Sequence, residues 1–388
     1  MNNYLKIVSL GDLHFGHARV SSEALYNELK DLVYPELKDT HLITLGGDIY
    51  DQLTTVGSQA HYYASKFVKD LFAISHRTGM QVRILHGTFT HDRDQLTVFK
   101  SLAYPKSRYA IINNISCEEL SDFMSGEFGY NGSIRIGYLP DNLSYKESSD
   151  AVDHLRKVMN VAGHSDLDIL VGHGTFEHVI PPHSGHKPAC LYREDQFTDI
   201  VHGIIIMSHI HTSSRKSNIY YCGSFERMAH GEEENKGFYV FTKEEGSSDY
   251  HARFVVNRHA TPFVTIIPSG HDLPTKIEHY KSAITKSFPV SAGFVRVLDN
   301  DANLRSILHK YTSENYPNIA YSSKSLDKNT PASIQVEDIS LDVFEDVKPD
   351  IHNLPDLVYQ FLEEKNMTNG LTKEEISECV KSVLDTAI

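Results

Sequence analysis

Short apolar runs recur along the chain at 5–10, 42–45, 82–85, 167–171 and 204–207. Each has the length of a strand and is too short for a helix, so each reads as a buried strand. Between the first two runs, Leu25, Leu29, Leu32 and Val33 fall at helical spacing and make one apolar stripe. Between the second and third, Tyr63, Phe67, Val68, Leu71 and Phe72 make a wider aromatic stripe. From about residue 204 the pattern becomes β-rich, with strand-like segments at 219–221, 237–241 and 252–256. Alternating βα units followed by strands predict an α/β fold, two sheets flanked by helices, over residues 1–260. Residues 261–336 form a second pattern, with strands at 263–267 and 293–297 and helices at 276–288 and 303–316, closed by Pro289 and Pro317. The stretch 322–332 is polar and reads as a loop or linker. The remaining segment, 337–388, predicts a linker and two helices. Leu354, Leu357, Val358, Phe361 and Leu362 line one, and Ile376, Val380, Val383 and Leu384 line the other behind a Thr372/Glu375 capping box.

Polar blocks stand at the carboxyl ends of the five apolar runs: Asp12-Leu-His14, Gly47-Asp48, His91-Asp92, Gly172-His173 and His209-Ile-His211. Loops at that end of the strands share one edge of a layered sheet. Carboxylate and imidazole suit manganese, iron or zinc. In Asp12/His14 the intervening residue points away, so both side chains can face one metal, and in His209/His211 alternate residues share a face at a strand end, a strong local metal signal. Asp48 follows Gly46-Gly47, which let the backbone turn, and a carboxylate there serves to bridge two metals. Asp51 faces the same cleft and is placed to hold a catalytic imidazole, or else caps the helix beginning near Ser58. His91 is the candidate general acid for the leaving oxygen. Thr88 or Thr90 occupies the place of a stronger ligand, and Thr90 enters the metal set on that ground. His17, His178, His183 and His186 lie in nearby loops as substrate contacts or plain loop residues.

With 388 residues the chain exceeds one small domain, and its 40% hydrophobic content is ordinary for a globular protein. Four cysteines with no CxxC pair suggest neither a zinc ribbon nor a disulfide framework, so a reducing cytoplasm is expected. The segment Met1–Lys6 runs into a strand without a leader pattern, and no stretch reaches the ~18 apolar residues of a membrane span. The formal charge of −14 argues against a generally basic nucleic-acid binder. It is uneven, however. Residues 341–388 hold a net −7 and leave −7 for all the rest, part of which bound metals would offset.

Taken in order, the five blocks resemble the calcineurin-like metallophosphoesterases across residues 6–212. The stretch 221–238, with Gly223-Ser224, Glu226-Arg227 and Lys236-Gly237-Phe238, resembles the closing signature of the SbcD nucleases, bacterial and phage relatives of the meiotic recombination nuclease. That resemblance implies a four-layer α/β/β/α metallophosphoesterase sandwich, a small α/β capping, DNA-binding domain and a C-terminal helical pair. It implies two divalent metals, manganese foremost and magnesium next. One would take Asp12, His14, Asp48 and His211, the other Asp48, His173, His209 and a ligand from the loop before His91. It implies a DNA exonuclease and endonuclease of an SbcCD-like complex in DNA repair, recombination and replication, as in a phage. The partner would be an SbcC-like SMC-family ATPase, docked on Leu357, Val358, Phe361, Val380, Val383 and Leu384. It also implies a homodimer, for which the Tyr63–Phe72 stripe is a candidate surface, alongside the alternative that this helix covers its own sheet. The chain departs from the family at Gly87-Thr-Phe-Thr-His-Asp92, where Gly-Asn-His-Asp is usual, and at Ser208, where glycine is usual. A stand-alone phosphodiesterase or phosphatase, and a scaffold that binds without cutting, are the alternatives.

Overall fold

The computed structural model describes residues 4–125, 128–141, 145, 147–180, 190–288 and 292–326. It is a mixed α/β protein with two six-stranded sheets. In the first, the order is His251–Val256, Gly237–Glu244, Tyr4–Leu10, Leu42–Leu45, Gln81–Leu85 and Arg108–Ile112. The last four run parallel and the first two pair antiparallel. In the second, the order is Ser214–Lys216, Ile219–Tyr221, Val201–Ser208, Leu167–His173, Ile134–Leu139 and Ser116–Leu120. Here the middle four are parallel and both edges antiparallel.

Period-two alternation sends each strand's apolar side chains to two different cores. Leu5 and Ile7 of the first sheet meet Ile169, Val171, Ile204 and Ile206 of the second in a core between the sheets. Val8, Leu10, Ile43 and Val82 turn the other way, onto helices Ser22–Leu32 and Gln59–Thr78. Leu170, Ile205 and Met207 face helices Ser148–Ala162 and Glu194–Thr198. Ser58 caps its helix by accepting from the His61 N–H, and Gly79 ends it in a left-handed conformation at φ 83°.

Phe67, Val68, Leu71 and Phe72 are fully buried on their own sheet. The stripe therefore covers its own chain and is not a free dimer surface; Tyr62, outside the stripe, is the exposed aromatic of that helix. A third, three-stranded sheet, Phe263–Ile266, Gly293–Leu298 and Ile319–Lys324, is parallel and has its own core with helices Leu273–Ser287 and Ala302–Asn315. Those helices begin earlier than apolar spacing alone suggests, because Asp272 and Asp301 cap them. Ser322–Lys324, read above as the start of a linker, belongs to the last strand. The tail helices with Leu357, Val358, Phe361, Val380, Val383 and Leu384 lie outside the described residues. Among the described residues no helix is long and apolar enough to cross a membrane.

Candidate metal centre

Parallel strands deliver their carboxyl ends to one edge, and here the edges of the two large sheets meet. The first sheet supplies the loops after Leu10, Leu45 and Leu85; the second supplies those after His173 and Ser208. Packing is close at the join. A Cβ on Gly47, whose φ is 104°, would lie 2.6 Å from the Gly87 Cα and from the His173 Nδ1. The Ser208 side chain fills the space that a Cβ on Gly11 or Gly46 would need. Ser208 is thus accommodated by glycines across the join. Gly11 also bridges to Ser224, and both Asp12 carboxylate oxygens accept from the His209 N–H, at 2.9 and 3.1 Å.

Three groups of ligand atoms result. Asp12, His14 and His211 form one, Asp48, His173 and His209 a second, and His14, Asp51 and His91 a third that shares His14 with the first; within each group the atoms lie within 4.8 Å of one another. Each group of buried or half-buried side chains could hold a metal ion. In the first, the His14 and His211 Nε2 atoms face each other at 3.1 Å. In the second, His173 Nε2 and His209 Nδ1 stand at 3.2 Å. Asp48 lies between them, its Oδ2 3.9 Å from His14 Nε2 and 3.3 Å from His173 Nε2.

The far nitrogens are held. His173 Nδ1 donates to the Gly46 carbonyl at 2.9 Å, His211 Nδ1 pairs with Glu232 at 2.9 Å, and His14 Nδ1 pairs with Asp51 at 3.3 Å. Such partners fix ring orientation and turn the other nitrogen toward the ligand. Glu232 is itself gripped by the buried Lys236, which also donates to the His211 carbonyl. Burial opposes the charge on Asp48, but the imidazoles of His173, His91 and His14 hold its carboxyl well below the usual range. Burial likewise opposes the imidazolium of His173, which Asp48 nevertheless raises to about 10, and that of His211, which Glu232 raises to about 9.

All six ligands placed from the sequence, Asp12, His14, Asp48, His173, His209 and His211, come together. Thr90 does not; it is exposed on the short helix Phe89–Asp92. Its place is taken by Thr88, whose hydroxyl oxygen is 3.2 Å from Asp48 Oδ2, 3.4 Å from His173 Nε2 and 3.5 Å from His209 Nδ1. Thr88 comes first after Gly87, and Phe89–Asp92 follows it as the short helix.

His91 stands edge-on to His14, ring centroids 5.0 Å apart, with Asp51 within reach of both. Asp51 lies 3.3 Å from His14 Nδ1 and falls in one group with His14 and His91. His17 sits at the rim, and His178 pairs with Glu194 at 2.8 Å beneath Phe176, away from the cluster. His183 and His186 lie outside the described residues. Sequence reasoning passed over Glu232, took Lys236 only as part of the Lys236-Gly237-Phe238 signature, and missed the structural role of Asp92. The Asp92 carboxylate is fully buried and accepts from the Asp48, Ile49, Tyr50 and Gly87 N–H groups, tying the two glycine loops together.

Compared with models of known protein families and with curated proteins, the chain matches none.

Proposed function

We propose that this chain is a two-metal phosphodiesterase that cuts DNA, a four-layer metallophosphoesterase sandwich acting as the nuclease subunit of an SbcCD-like complex. The observation that carries this reading is a pair of ligand groups converging from both sheets, with Asp48 Oδ2 of the second group 3.9 Å from His14 Nε2 of the first. Donors of this kind, one carboxylate per three or four imidazole and carboxylate ligands, suit manganese or zinc. Bound there, the metals would acidify a water and neutralise charge on the phosphoryl oxygens. Asp12, His14 and His211 would hold one; Asp48, His173, His209 and the Thr88 hydroxyl would hold the other. His91, beside His14 and outside both sets, is the proton donor to the leaving 3′ oxygen. Asp51 orients His14 and adds negative charge beside His91.

The Thr88 hydroxyl favours one variation on this reading. A neutral hydroxyl is a poorer ligand than an amide carbonyl, so the second site would fill at higher metal concentration. The experiment is manganese-dependent cleavage of end-labelled single- and double-stranded DNA, with and without the SMC-type ATPase, beside His91→Ala. Cleavage by the wild type, falling at least about a hundredfold in the variant while bound metal is retained, is the expected result. A folded, metal-loaded wild type that cuts neither substrate in either condition would count against it.

A further inference from the structure

The three-stranded sheet has two unlike faces. Val295, Val297, Ile266 and Ile319 turn toward its helices. Alternation puts Phe263, Thr265, Phe294 and Arg296 on the other face, where Phe263 is paired with Phe294 and Thr265 with Arg296. The two phenylalanine rings stack at 4.4 Å. That face meets the loops of the metal-bearing body. The Arg19 guanidinium lies over Phe294 at 5.9 Å and donates to the Met228 carbonyl, and His230 stands edge-on to Phe263 at 5.2 Å.

Three polar atoms end at this seam buried and without a hydrogen-bond partner among the described residues: Arg296 Nε, Thr265 Oγ1 and His230 Nδ1. Arg296 is 8% exposed and stays charged at any working pH. A buried guanidinium with no acceptor is costly, so such groups are paired. Among the described residues the carboxylate acting on it is the exposed Glu233; Glu232 is already engaged by His211 and Lys236. Burial together with Arg296, Arg19 and Lys324 depresses His230 to about 4, so cations outnumber anions at this point of a chain whose net charge is −14.

We propose that this seam is a binding site for a single phosphoryl-type oxyanion, held by Arg296, Thr265 and His230 with Arg19 at its mouth. A planar guanidinium fork, a hydroxyl and an imidazole N–H supply the directed donors that a tetrahedral anion takes. Two sources share this chemistry: a backbone phosphate of a bound strand, and a free phosphate or mononucleotide. The site itself stands without the nuclease reading; only the strand source rests on it.

The test is binding of inorganic phosphate to the full chain in the presence of chelator, so that no metal competes, followed by phosphorus NMR line width and thermal unfolding. Saturable binding weakened at least about tenfold in Arg296→Met is expected, with at least about threefold weakening in Thr265→Val. Thr265→Val keeps shape and charge, and carries the test if Arg296→Met fails to fold. No saturable binding by the wild type, or equal binding by wild type and both variants, overturns the proposal. Displacement of phosphate by oligothymidylate assigns the strand as the source. Displacement by thymidine 5′-monophosphate but not by the oligomer assigns the free phosphoryl group. Either result stands whether or not the protein cuts DNA.

Discussion

Asp48 stands between two ligand groups, and in the proposed reading the residue that limits the second group is the neighbour it touches, Thr88. The Thr88 N–H donates to Asp48 Oδ1 at 2.6 Å while its hydroxyl reaches Oδ2, so the backbone is already anchored for any side chain at this position. Thr88→Asn would replace a weak ligand by an amide carbonyl. We expect manganese affinity at the second site to rise about tenfold, read as bound manganese per chain after gel filtration at limiting metal. Unchanged occupancy would mean that the hydroxyl is not the limiting ligand. The six side chains that could hold a metal were legible as candidates because each stands at the end of an apolar run. Thr88 was legible only as one of two threonines, since a hydroxyl has no metal-specific spacing. Glu232 was hidden because charge runs read as surface, whereas its partner His211 comes from a different loop.

At the scale of elements, the site depends on how closely loops approach rather than on the strands themselves. Gly47→Ala would push a methyl group against Gly87 and the His173 ring while forcing alanine into a left-handed conformation. A loss of about 2–3 kcal/mol is expected, seen as a lower urea midpoint, with weaker metal binding as His173 is displaced. An unaltered midpoint would show that these loops have slack. The buried parallel strands were readable as unbroken apolar runs. The edge strands Arg108–Ile112 and Ser116–Leu120 were not, because most of their positions are only half-buried and the second carries Glu118 and Glu119. Glu118 in the second pairs with Arg83 of the facing sheet, a contact that depends on the fold and not on local sequence.

Across the whole molecule, the stretch resembling a family signature joins the large body to the small sheet. Arg227 donates to the Ala260 carbonyl, and the buried Glu226 accepts from its own neighbour's N–H and from the Thr261 N–H. Burial, and then Glu28, push the Glu226 carboxyl up to about 8. An unfolded carboxyl loses its proton near ~4.3. Stability held by the protonated form is therefore full below that value and is lost as pH climbs toward about 8. Glu226→Gln cannot ionise, so its melting temperature should match the wild type near the lower limit and exceed it increasingly until the difference levels off above the upper one. A difference constant across that window would refute the assignment. The seam next to this joint was invisible in the sequence, since Arg19, His230, Thr265 and Arg296 lie far apart along the chain.

Among the non-glycine residues with left-handed backbone are Asp12, His14, Asp48 and His209, with φ of 50°, 51°, 51° and 91°. Only glycine, and less readily asparagine and aspartate, take that conformation at little cost. A library randomised at Asp12 or Asp48 and sorted for folding alone should therefore return Gly, Asn and Asp and discard valine and isoleucine. Sorted for activity, it should narrow to aspartate. The difference between those two survivor sets would separate what the backbone demands of these positions from what the chemistry demands.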